Sequence, residues 1–85
     1  MKYKVVCVRD RAIATFGQPV FVANIGGAIR SFGDEIKRAH TDERPNQMNQ
    51  HPEDFDLFSL GEYDDQTGKF DSQEPVQVAV GKDYV

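Results

Sequence analysis

The chain has 85 residues, 39% hydrophobic and 28% charged, with a net charge of -4. That length makes one domain, 1–85, with a thin core, since a chain this size buries about 60–65% of its unfolded surface. The composition excludes a disordered chain, no apolar run approaches the ~20 residues of a membrane span, and VVCV is too short for a signal-peptide core, so the cytosol is the expected compartment.

YKVVCVRD at 3–10 predicts a strand, with Tyr3, Val5 and Cys7 on one face and Lys4, Val6 and Val8 on the other. Cys7 is the one cysteine, which leaves no intrachain disulfide and no cysteine-rich zinc site. In mid-strand it reads as a small buried apolar side chain rather than a nucleophile. Gly17 and Pro19 mark a turn, and PVFVA at 19–23 predicts a short strand near an edge, because proline lacks a ladder donor.

Asn24 is a favoured N-cap. After it Ile25, Ala28, Ile29, Phe32, Ile36 and Ala39 recur at three- and four-residue spacing, which predicts one helix over about 24–39. Gly26, Gly27 and Gly33 weaken it by about 1 kcal/mol each relative to alanine, tolerable if the stripe packs closely on a sheet. Arg30–Asp34 and Asp34–Arg38 have the i,i+4 spacing of ion pairs on a solvated face.

Residues 41–54, TDERPNQMNQHPED, predict an exposed connector ending in a capped turn. FDLFSLGEY at 55–63 predicts a strand with Phe55, Leu57, Ser59 and Gly61 opposed to Asp56, Phe58, Leu60 and Glu62. DDQTG at 64–68 is a turn with Gly68 suited to a left-handed position, KFD re-enters a paired strand, and PVQVAV at 75–80 alternates as a half-buried strand. GKDYV is a short tail. The fold class is therefore α+β: a small, mostly antiparallel sheet of four or five short strands with one packed helix.

No spacing supports catalysis. An EF-hand frame over the DDQTG turn would begin on Tyr63, which cannot ligate calcium, and its flanks are strands. His51-Pro-Glu53 has the H-x-E look of a deaminase but lacks the paired cysteines. The glycines of NIGGAIRSFGDEIK fit neither phosphate-loop spacing, although the helix N-terminus offers free amides. No metal, no cofactor and no enzymatic activity are expected.

Charge placement is more informative. Residues 1–44 hold eight Lys/Arg against five acids, and residues 45–85 two lysines against nine acids, so a +3 half faces a -7 half. Such halves meet each other, within or between chains, or the basic half meets an anion. Basic residues interleave with Tyr3, Phe16, Phe21 and Phe32, the combination by which single-stranded DNA binders pair cations with stacking rings. The nucleic-acid candidates are Lys2, Lys4, Arg9, Arg11, Arg30, Lys37 and Arg38 for phosphate, with Tyr3 and Phe16 for stacking. The alternative is a protein-interaction module whose acidic hairpin, through Glu62, Asp64 and Asp65, docks on another protein. A homodimer is expected on either reading, because the core is thin and edge strands such as 19–23 or 75–80 need covering.

HPEDFDLFSLGEYDDQTGKF at 51–70 resembles the segment HPEDY-x-LF-x-LGE-[FY]-DD-x-TG of the small nonstructural protein of gokushoviruses, Microviridae with circular single-stranded DNA. FGQPVFVANIGGAIRSFGDEI at 16–36 resembles the P-F-x-x-x-N-x-G-x-AIR-x-F-x-D segment of the same family. The resemblance implies a non-enzymatic bacteriophage protein, often described as DNA-binding. By gene content it is likened to the microvirus protein that turns replication toward single-strand synthesis and packaging. It assigns no catalytic residue.

Overall fold

A computed structural model describes all of residues 1–85. In chain order the elements are β1 (Lys2–Asp10), β2 (Thr15–Phe16), β3 (Val20–Val22), α1 (Ile25–Lys37), α2 (Gln47–Gln50), β4 (Phe55–Asp64) and β5 (Lys69–Val80). Short 3-10 turns, Pro52–Asp54 and Gly81–Tyr84, precede β4 and follow β5. All ladders are antiparallel: β1 is central, with β4 and then β5 on one side and both β2 and β3 along its other edge. This is the α+β arrangement expected, a five-stranded sheet and one main helix. The molecule is elongated, 43 × 23 × 21 Å, because the β4–β5 hairpin runs out beyond the helix.

The core lies between one sheet face and α1, where Val6 and Leu57 meet Ala28, Phe32 and Ile36, with Val8, Val22 and Met48 around them. Asn24 caps the helix, its side-chain oxygen accepting from the Gly27 amide at 2.7 Å. The helix stops at Lys37, two residues short of the expected end, and Ala39 is exposed. Its last carbonyls are taken by the connector. The Asn46 side-chain amide donates to the carbonyls of Glu35 and Arg38, both at 2.8 Å, and Asn49 donates to Ile36 at 2.9 Å. Helix ends leave such carbonyls without intrahelical partners, and here two asparagine amides satisfy three of them.

The connector is thus not the solvated loop its composition suggested. Asn46 is 4% exposed, α2 occupies its second half, and Met48 reaches the core. Nor is GKDYV a loose tail: Tyr84 meets Phe32 edge-to-face at 5.9 Å and lies over Gly33, where a Cβ would come within 2.7 Å of its ring. Arg38 pairs with Glu35 at 2.7 Å rather than with Asp34, and Arg30 has no ion-pair partner.

Two irregularities overturn the simple strand alternation. Opposite β1, Val5 pairs with Gly61 but Val6 pairs with Ser59, so Leu60 is an extra residue in β4. Such a bulge exchanges the faces of everything beyond it. Gly61 therefore joins the side of Phe58, and Glu62 the side of Leu57, the reverse of the sequence pattern. Gly61 has φ +131°, and a Cβ there would come within 2.1 Å of the Asp71 carbonyl oxygen, so the position requires glycine. The segments expected as KFD and PVQVAV are one strand, β5, which slips register again against Leu57–Phe58 and Ser59–Gly61. Val76 is consequently exposed, while Val78 and Ala79 both reach the core.

Candidate nucleic-acid interface

Directly opposed residues of a ladder share a face, so the register sorts the side chains. The helix covers one face near Val6, Val8 and Leu57. Beyond the helix the same face carries Lys2, Lys4, Glu62, Asp64, Lys69 and Asp71, a mixed-charge strip. The opposite face carries Tyr3, Val5, Cys7 and Arg9 of β1, Phe16, Phe21, Phe58, Tyr63 and Phe70. No helix covers it, so its aromatic rings shield one another and the strand beneath.

The rings form a chain of contacts. Tyr63 and Phe70 lie 4.8 Å apart between centroids, Phe21 and Tyr63 5.3 Å, Phe21 and Phe70 6.1 Å, and Tyr3 and Phe21 6.5 Å. A second group follows along β1, with Phe16 and Phe58 edge-to-face at 5.2 Å. Arg9 stands over Phe16, its guanidinium carbon 5.3 Å from the ring centroid. Under these rings Val5 and Cys7 are buried, and burial pushes the Cys7 thiol up, as fits a packing residue rather than a thiolate. Phe70, Phe21 and Phe16 keep 63%, 52% and 43% of their surface exposed. Half-exposed phenylalanines in a contiguous group are a surface built for contact. Exposed rings beside a guanidinium can stack planar bases and meet a phosphate, and here neighbouring rings are tilted 40–65° to one another, so each would take its own base.

The residues expected for nucleic acid divide. Tyr3, Phe16 and Arg9 come together on this face. Lys2 and Lys4 point to the mixed-charge strip, where the Lys4 ammonium donates to Glu62 at 2.6 Å. That hydrogen bond, with the Lys4 charge and the neighbouring Lys2, holds the Glu62 carboxyl below its ordinary range. Arg11 folds over the end of β4, donating to the Glu53 carbonyl and lying 3.1 Å from the buried Asp56 carboxylate. Arg30, Lys37 and Arg38 belong to the helix layer on the other side of the sheet. Phe58, Tyr63 and Phe70 are the face's unforeseen members, and Phe21, counted among the interleaved rings but not among the stacking candidates, joins them. One signal was available: with DDQTG as a tight turn, Tyr63 and Phe70 fall opposite each other.

The acidic hairpin residues are held within the chain. Asp65 pairs with the amine of Met1 at 2.7 Å, Asp64 accepts from the Gln66 amide at 2.9 Å, and Glu62 holds Lys4. Gly68 takes φ +72° in the turn. At the Pro52–Asp54 turn, ligand atoms of His51, Glu53 and Asp54 lie within 4.8 Å of one another, all from one short segment with the Arg11 guanidinium bonded to its backbone. No helix of the chain is long and apolar enough to cross a membrane.

The model of one protein family, described as Phage ORF5 protein, matches residues 3–84. No curated protein and no solved structure matches the chain.

Proposed function

The chain belongs to the phage ORF5 family, and we propose that it is a non-enzymatic protein that binds single-stranded DNA across the aromatic face of its sheet. The observation that carries this reading is the contiguous group of Tyr3, Phe21, Tyr63 and Phe70, with Phe16 and Arg9 beside it. Base–aromatic stacking contributes about 1–3 kcal/mol per base and tolerates any sequence, because every base has a π-face. Single strands present those faces; a duplex hides them.

The likeness of residues 51–70 and 16–36 to the gokushovirus nonstructural protein supports a role in viral genome replication or packaging in the host cytoplasm. A single cation on the face makes stacking the larger contribution and phosphate contact the smaller. Fluorescence anisotropy with single-stranded oligonucleotides at low and high salt tests the reading. Binding that weakens modestly with salt and exceeds duplex binding is expected. No binding at low salt overturns it.

The protein-interaction reading places the recognised surface on the outer hairpin instead. Its test is Asp64→Lys/Asp65→Lys: capture of a phage or host replication protein that is lost with this variant, while DNA binding is kept, favours that reading.

A further inference from the structure

The sheet has two open edges, and they are defended very differently. β5 carries Lys69, Asp71, Glu74 and Pro75 along its length, with irregular register, the features that keep an edge from pairing. β3 carries none of these between Val20 and Val22. It lies within Ala12–Ile29, a run of 18 residues without one charged side chain, in a chain that is 28% charged. Val20 and Phe21 are each 52% exposed. Beside them, on the helix side, an open groove of about 510 Å³ runs between β3 and α1, lined by Val20, Val22, Ala28, Phe32 and Leu57 among others, with Glu35 its one charged member.

We infer that this edge and groove are the contact between two copies of the chain, joined by antiparallel pairing of β3 with β3 about a two-fold axis at Phe21. The occupant follows from charge. An isologous contact sets every group of a patch against a copy of the same patch, so charged surface meets its own sign unless opposite charges interleave. Each copy carries -4, and Ala12–Ile29 is the one long stretch where self-contact along the strand brings no charge to the interface, while the groove's Glu35 is already paired with Arg38 of its own chain. In this pairing Val20 of one copy faces Val22 of the other along the groove mouth, and the two Phe21 rings become neighbours on the aromatic face. The two sheets then run on as one, and the rings of both copies form a single surface. The contact stands independently of what that surface binds.

Sedimentation equilibrium at micromolar concentration, on the full chain, tests the inference, and a dimer is expected. Val20→Lys sets an ammonium against apolar surface and near its own copy. Like-charge juxtaposition of this kind costs several kcal/mol, so the dimer dissociation constant should rise about 100-fold or more. Should that variant fail to fold, Phe21→Cys decides. A short bismaleimide links its new thiols into a covalent dimer, whereas Cys7 is 2% exposed and stays out of reach. A monomer overturns the inference. So does a dimer that ignores Val20→Lys, or whose Phe21→Cys thiols do not cross-link, since such copies meet elsewhere.

Discussion

The Tyr63 and Phe70 rings lie 4.8 Å apart across the β4–β5 ladder, and Phe70 keeps 63% of its surface exposed. Phe70 is therefore separable from the fold. Phe70→Ala should leave the melting temperature within about 2 °C while weakening single-strand binding by about 1–3 kcal/mol, five- to 150-fold. The chain has three tyrosines and no tryptophan, and Tyr3 and Tyr63 stand on the aromatic face. Single-stranded DNA should accordingly quench intrinsic tyrosine emission in the wild type. Unchanged emission on saturation would place bound DNA elsewhere.

Arg9 is the cation on the aromatic face, whereas Arg30 and Lys37 lie on the helix layer. Each phosphate contact on a single strand contributes about -0.7 to the slope of log K against log salt. Arg9→Gln should make the slope shallower by about that amount, and Arg30→Gln/Lys37→Gln should leave it unchanged. The reverse pattern would move the interface to the helix.

Asn46 is a stability determinant. Its buried amide donates to two helix-terminal carbonyls, its oxygen accepts from the Met48 amide at 3.1 Å, and its backbone amide donates to His40 Nδ1 at 2.8 Å. Orphaning such groups costs about 1–3 kcal/mol each, partly relieved by water. Asn46→Ala should lower the melting temperature by about 10 °C or more. Asn46→Asp should fail comparably, because a carboxylate cannot donate to carbonyls.

The Lys4–Glu62 pair ties β1 to β4, and the Glu62 carboxyl is held below its ordinary value near 4.5. A carboxylate with a depressed folded-state pKa adds stability above its unfolded value, and that contribution is lost as pH falls through the lowered one. Glu62→Gln should therefore differ in stability from the wild type at neutral pH, with the difference shrinking as pH falls under the ordinary carboxyl value and vanishing only below the lowered one. Thermal melts across pH 3–7 check this, and a constant difference throughout would remove the pair as its cause.

Much of the fold was legible in the residues. Alternation around Val5–Val8 and the stripe from Ile25 to Ile36 located β1 and α1 because local periodicity and burial agree there. Asn46 was not, since an asparagine in a proline-rich polar stretch shows its burial only when the helix end it serves is in place. For the same reason the aromatic face was half seen. Tyr3 belongs to a strand read correctly, and Phe16 stands out for its place among cations although its short strand was not foreseen. The side taken by Tyr63, however, depends on Leu60, and strict alternation assigns it wrongly. Cations scattered along the first 44 residues looked like one set, but the sheet divides them between its two sides.

The extra residue at Leu60 makes the outer hairpin sensitive to residue number more than to residue kind. Removing Leu60, a loss of one codon that alters no aromatic or charged position, would restore strict alternation along β4 and leave Glu62 facing the lysines and Tyr63 the rings, as they do now. Straightening the strand with Leu60 kept would do the opposite and turn the hairpin's tip inside out. In a viral gene copied many times, an in-frame deletion at this point should be tolerated better than one at Leu57 or Tyr63.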